Sequence, residues 1–165
     1  MPIGQFREEW RIRRGIAQLS SWILSKPSPG PELLKNGDFS AWTADNPDNW
    51  TVVGESGSDP MITEVGAGGG AGTGLARIFN TAVLVYIRQS VLIIGQWYQA
   101  QLDIDTIVSG NIKLSNAAGQ DYSPVYSTVG TKVTIFQAVT NTQFVVQRNA
   151  NPTDVTVDNV SVRPL

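Results

Sequence analysis

The sequence predicts an all-β protein, an antiparallel β-sandwich of the jelly-roll type carrying an N-terminal α-helical arm. Three observations predict it. From Leu33 onward the apolar runs are short, rich in β-branched residues and bounded by Gly, Pro, Asn and Asp. No helical periodicity recurs after Leu24. Hydrophobic residues make up 41% of the 165-residue chain and charged residues only 16%, the balance of a chain with a packed core rather than a disordered one.

Residues 1–26 read as the arm, with helix expected from about Gln5 to Leu24. The segment has two apolar stripes. Ile12, Ile16, Leu19 and Ile23 share one side, and Phe6, Trp10, Ala17 and Leu24 lie about 130° away. A helix packed on one domain needs one stripe, so two predict contact with two surfaces. A helix broken at Gly15, each half using its own face, is the alternative. Phe6, Trp10, Ile12, Arg14, Ile16, Leu19, Trp22 and Ile23 are the candidate partner-docking residues. Arg7, Arg11, Arg13, Arg14 and Lys26 against Glu8 and Glu9 give the arm a net charge of +3, and the rest of the chain carries −5. Basic arm and acidic body are expected to be differently employed.

Residues 27–32 contain Pro27-Ser28-Pro29-Gly30-Pro31, which stops the helix and reads as a stiff linker. Residues 33–165 form the expected sandwich domain. Its strands are predicted near 33–39, 50–54, 60–65, 74–79, 83–94, 97–108, 111–115, 122–129, 131–139, 142–149 and 153–163. Gly66 to Gly74 reads as a surface loop. In the last strand Val155, Val157 and, past an irregularity, Val160 and Val162 are expected to point inward. About ten such strands separated by turn signals predict a sandwich or jelly roll.

Composition excludes several chemistries. Without cysteine there is no disulfide, thiolate metal site or cysteine nucleophile, and without histidine no Ser-His-Asp triad. Asp103 and Asp105 are the remaining carboxylate pair, about 7 Å apart on one strand face. Their alternation with Leu102, Ile104 and Thr106 marks them instead as the wet side of a half-buried strand. The glycines of 66–71 loosely fit a dinucleotide fingerprint, but Leu75–Phe79 after them reads as strand rather than the helix that motif needs. No catalytic residue is assigned, and no enzyme is expected. With a net charge of −2 and no apolar run of membrane-spanning length, neither nucleic acid nor membrane is an expected partner. The opening Met-Pro-Ile-Gly-Gln-Phe-Arg-Glu-Glu-Trp has no apolar leader run, so no secretory signal is expected.

Three stretches carry a resemblance. Leu33-Leu34-Lys35-Asn36-Gly37-Asp38-Phe39-Ser40, followed by Trp42 and Asp48-Asn49-Trp50, resembles the opening strand of carbohydrate-binding-module-like (galactose-binding-like) jelly rolls. Gly95-Gln96-Trp97-Tyr98-Gln99-Ala100-Gln101-Leu102 is similar to their central strand, and Asp154 to Val162 to their closing one. The resemblance implies that first and last strands lie side by side, with Phe39 and Trp50 as core anchors and Asn36-Gly37 in a turn of positive φ. It also implies glycan contact through exposed aromatics, for which Trp42, Tyr86, Tyr122 and Tyr126 are the candidates. Trp50 and Trp97 are assigned to the core. A structural calcium is implied at Asp38 and Asp158, though only about three of the six to eight oxygens calcium wants can be named. Hydrogen bonding of Asp158 to the neighbouring turn is the alternative. No other cofactor is expected.

A lone module of this kind resembles accessory proteins of bacteriophage particles. That implies a non-enzymatic assembly role, as capsid decoration, head fibre or tail appendage. The arm would dock on a capsid or other virion protein, with homo-oligomerisation, as a trimer, expected from cyclic symmetry. The location would then be the virion, assembled in the host cytoplasm. The competing expectation is a carbohydrate-binding adhesin that recognises host glycans.

Overall fold

The computed structural model describes residues 28–55, 62–65, 74–81 and 83–165. The arm and its docking residues Phe6, Trp10, Ile12, Arg14, Ile16, Leu19, Trp22 and Ile23 lie outside the described residues, as does most of the glycine-rich loop. Among the described residues there is no helix. Eleven strands run in order: β1 Trp42–Thr43, β2 Asn46–Pro47, β3 Thr51–Val53, β4 Ile62–Glu64, β5 Ala76–Asn80, β6 Tyr86–Ser90, β7 Trp97–Ser109, β8 Ile112–Ser115, β9 Gly130–Gln137, β10 Gln143–Arg148 and β11 Thr153–Pro164.

β1 and β2 make a small hairpin. The other strands form two antiparallel sheets, ordered β3-β6-β10-β8 and β4-β5-β11-β7-β9. The sheets bury one face each against the other, as β-branched alternation requires. From the five-stranded sheet come Ile62, Ala76, Ile78, Tyr98, Ala100, Leu102, Ile104, Val155, Val157, Val160 and Val162; from the four-stranded sheet come Ile87, Phe144, Val146, Ile112 and Leu114. An aromatic row runs through the core. Phe136 stacks on Tyr122 at 4.1 Å between ring centroids, on Tyr98 at 5.6 Å and on Phe144 at 6.2 Å.

The long strands β7 and β11 form the centre of the larger sheet, and their register slips three times. At the slip between Asp158 and Ser161, β11 has one residue more than β7, and Asn159 adopts φ 48°. That β-bulge is the expected irregularity, and the four valines point inward as expected. The other slips add a residue to β7, so the alternation expected to continue to Thr106 ends at Ile104, and Thr106 is exposed.

Two predicted strands are not strands. Residues 33–39 lie beside the closing strand without a regular ladder. Gly30 N–H donates to Pro164 O (2.8 Å), Leu33 N–H to Val162 O (3.0 Å), and Val160 N–H to Gly37 O (2.8 Å). First and last segments are thus neighbours, as the resemblance implied. Phe39 is buried and its ring centroid lies 5.6 Å from that of Trp50. The positive φ falls on Asn36 (51°), whereas Gly37 answers a different need: a Cβ there would sit 2.0 Å from Val160 O. Residues 122–129 likewise form only one isolated bridge, Tyr126 to Ile112, and Asp121 just before them bridges to Ser115 of the same β8.

Candidate functional site

The edge of β11 left open beyond β5 is where residues 30–37 lie, and Glu32 holds them there. Its Oε1 accepts from the amides of Val162 (2.8 Å), Leu34 (3.0 Å) and Leu33 (3.1 Å). Its Oε2 accepts from the Ser161 hydroxyl and from Arg163 Nε (3.4 Å). Burial pushes the carboxyl up, but the bonds from Ser161, Val162, Leu34 and Arg163 outweigh it and hold the group below its ordinary 4.5. From the core side, the Gln89 amide accepts from Lys35 N–H (3.1 Å) and donates to Lys35 O (2.7 Å), as a paired strand would. The segment is therefore strapped down from both sides.

Between this strap and β7, on the outer face of the five-stranded sheet, lies an open cavity of about 560 Å³. The strap contributes Glu32, Leu34, Gly37 and Asp38; β7 contributes Gln99, Gln101 and Asp103; β11 contributes Asn159, Val160, Ser161 and Arg163. The β7 residues alternate with buried Tyr98, Ala100 and Leu102, which is why their polar side chains all face out. Asp103 is engaged by Thr131 Oγ1 (2.6 Å) and Asn159 Nδ2 (3.0 Å). The side-chain amides of Gln99 and Gln101 have no hydrogen-bond partner among the described residues.

The outward row of β9 lies next to β7 but does not line the cavity. In the register Gln99 stands opposite Ile135 and Gln101 opposite Val133, both exposed. Trp97 heads the same face of β7 with 51% of its surface exposed. It was expected in the core; its neighbour Tyr98 is buried there instead. The alternation contained the signal, since an outward Asp103 makes every odd position back to Trp97 outward.

The candidate glycan aromatics are dispersed. Tyr122 and Tyr126 are only 3% and 8% exposed. The amide of Tyr122 bonds to Leu114 O and that of Tyr126 to Ile112 O, which draws the loop over the sandwich and puts both rings into the core. Neither has a face for a sugar, which corrects the expectation. Trp42 is half-buried against the core, its Nε1 donating to Phe39 O (2.6 Å). Tyr86 is half-buried on the outer face of the smaller sheet, in the row Tyr86, Arg88, Ser90.

The residues present do not fit the calcium. Asp158 turns its carboxylate onto Asn159, accepting from the backbone N–H (2.6 Å) and Nδ2 (3.0 Å). Burial raises its pKa above 3.8 against the Asn159 amide bond, and the nearby charges of Asp103, Asp38 and Asp105 push the same way. No group of three or more Asp or Glu among the described residues could hold a metal ion. The hydrogen-bonded turn, the alternative for Asp158, is what the geometry holds.

No protein-family model matches the chain, and no curated protein matches it. Solved structures do. A CBM22-1 xylan-binding domain from Paenibacillus barcinonensis Xyn10C superposes with a TM-score of 0.53 at 10% identity, covering 83% of this chain and 96% of that one. TmCBM61, solved in complex with beta-1,4-galactotriose, gives 0.51 at 17% identity over 82% and 100%. The enzymatically active domain of bacteriophage CBA120 tailspike protein 4 gives 0.51 at 10% identity over 81% of this chain. The matched stretch is 21% of that tailspike chain, about a fifth of its length. At such identities the likeness is one of architecture: the described residues form a carbohydrate-binding-module-like jelly roll.

Proposed function

We propose that the chain is a non-enzymatic accessory module of a bacteriophage particle, as capsid decoration or as a head-fibre or tail appendage. Residues 1–26 form the docking arm and 27–32 the linker, whose end, Gly30 to Glu32, is already held on the displayed jelly roll of 33–165. The arm attaches the module to a neighbouring virion protein or to further copies of itself, as in a trimer. The observation that carries this reading is the strap. Glu32 and three backbone hydrogen bonds hold residues 30–37 on the closing strand, and Gln89 of β6 holds Lys35, so the chain enters the sandwich at a fixed point. A fixed entry suits a module displayed in one orientation. The likeness to a tailspike domain supports the virion setting at the level of fold. Comparing the full chain with one beginning at Pro27 by light scattering tests it. The full chain is expected to self-associate or aggregate and the shorter one to be monomeric. A full chain that stays a soluble monomer, identical in behaviour to the shorter one, would refute the docking role.

A second reading, a carbohydrate-binding adhesin, is favoured by the open cavity beside the strap, by the exposed Trp97 at the head of β7 and by the half-buried Tyr86 on the opposite sheet. Retention on bacterial surface polysaccharide, weakened by Trp97→Ala or Tyr86→Ala, would support it.

A further inference from the structure

We propose that the arm of residues 1–26 lies back on its own sandwich, along the exposed apolar row of Trp97, Ile135 and Val133, and keeps its second face for the virion partner. The inference rests on the reading of those residues as a docking arm with two contact faces, and it assigns one of the faces.

The row is an apolar surface left uncovered by the described residues. Trp97, Val133 and Ile135 expose 51%, 55% and 59% of their surface. Ile135 stands opposite Gln99 and Val133 opposite Gln101, so all three side chains share the outer face of β7 and β9. Large apolar side chains grouped in this way mark a contact surface.

The chain enters beside this row. Gly30 N–H donates to Pro164 O (2.8 Å), Pro164 stands opposite Tyr98, and Leu165 N–H donates to Trp97 O (3.0 Å). Gly30 is thus two strand spacings from the head of β7, about 10 Å. The stretch from Leu24 to Gly30 spans up to about 20 Å when extended, so Leu24 reaches Trp97.

Arm and sheet then match along their length. Going back from the linker, residues 16–25 carry no charge, and beyond them come Arg14, Arg13, Arg11 and Arg7. Going along β7 from Trp97, the outward positions are uncharged through Gln101 and acidic at Asp103, with Asp105 exposed just beyond. As the helix its sequence predicts, the arm covers about 15 Å between Leu24 and Arg14. The strand covers about 20 Å between Trp97 and Asp103, and an arginine side chain spans the difference. Asp38, Asp103 and Asp105 lie close enough to Asp158 for their charges to act on it. None of the four is in an ion pair with a described Lys or Arg. A basic segment therefore meets an acidic end of the face, and an uncharged segment meets its apolar end.

Charge also selects which side of the arm faces the sheet. Arg13 and Arg14 flank the stripe of Phe6, Trp10, Ala17 and Leu24, whereas Glu8 and Glu9 border the stripe of Ile12, Ile16, Leu19 and Ile23. The first stripe lies on the sheet, with the small Ala17 allowing close approach over Val133 and Ile135. The second points away, toward the partner.

The test exploits the absence of native cysteine. In the full chain, Ala17→Cys is combined with Val133→Cys, and Leu19→Cys with Val133→Cys serves as the control from the opposite stripe. Under mild oxidation the first pair is expected to form an intramolecular disulfide, seen on non-reducing gels as a faster-migrating monomer. Its rate should exceed the control's at least about tenfold at low salt and fall as salt is added. Separately, the full-chain double variant Val133→Asp/Ile135→Asp, checked for folding by circular dichroism, should be cut by trypsin at the arm arginines about tenfold faster than wild type. Intermolecular disulfides in the first pair would overturn the placement in favour of a neighbouring copy's arm on this face. Equal rates in the two pairs, or trypsin cleavage unchanged by the double variant, would overturn it altogether. A full chain that forms the intramolecular bond yet scatters light as a monomer upholds the arm's place and refutes the docking role, whereas self-association without the bond does the reverse.

Discussion

Replacing Glu32 by alanine tests how the strap is held. The substitution removes a carboxylate that accepts from three backbone amides, a hydroxyl and a guanidinium. The amides of Leu33 and Leu34 can turn to water at little cost. Val162 is fully buried, and its N–H loses a charged acceptor at 2.8 Å. A hydrogen bond to a charged group contributes about 1.5–3 kcal/mol net. Arg163 is half-exposed and adds less than about 1 kcal/mol. The sum is about 2–4 kcal/mol, which for a domain of this size lowers the melting temperature by about 6–12 °C. Thermal unfolding followed by circular dichroism at pH 7 measures it. The pH dependence supplies an independent check. The folded-state pKa of Glu32 lies below its ordinary 4.5, so its contribution is complete above that value and is lost as pH falls through the folded pKa. The difference between wild type and Glu32→Ala should therefore shrink in acid. A variant that melts within about 2 °C of wild type, or a difference that stays constant down to pH 2, would refute the proposed role of the carboxylate.

Other perturbations act on separate parts of the fold. Gly37→Ala should cost about 3 kcal/mol, because its Cβ would collide with Val160 O and force two backbones apart; the urea midpoint reads it. Phe136→Ala opens the middle of the aromatic row and should cost about 3–5 kcal/mol by the same assay. Asp154→Asn breaks the two-pronged pair with Arg77 (2.7 and 2.8 Å). As Arg77 is partly exposed, the loss at neutral pH should be about 1 kcal/mol or less. The bond from Arg77 holds the Asp154 carboxyl below 3.8, so this contribution is also present above that pH and vanishes below it; acid titration of the variant should lack that limb.

Much of the larger sheet was legible because its residues alternate strictly. The inward valines of β11, the irregularity between Val157 and Val160, and the outward Asp103 all follow from period two. Phe39 and Trp50 were legible as core anchors through the resemblance. The strap was half legible: its neighbour was expected, its clamp was not. Glu32 reaches β11 across 130 residues of sequence, and no local pattern announces such a pairing. Tyr122 and Tyr126 look like surface aromatics in a polar stretch, and only the folding of their loop over β8 puts them inside. Trp97 was misassigned although the phase of its own strand placed it outside, since a tryptophan beside a buried tyrosine invites a core reading. The groove joins a strap to two distant strands, so it could not be read from any one segment.

The bulge in the closing strand has a consequence for how this protein can vary. Asp158 and Asn159 both stand outward between two inward valines, so this point carries one residue more than the pleat requires. Loss of Asn159 would leave Val157, Val160 and Val162 in phase, whereas loss of a residue elsewhere in the strand would invert everything beyond it. Loss of a single residue is therefore tolerable at this bulge. Sequences that differ at this spot could share the same interior while presenting a differently furnished groove.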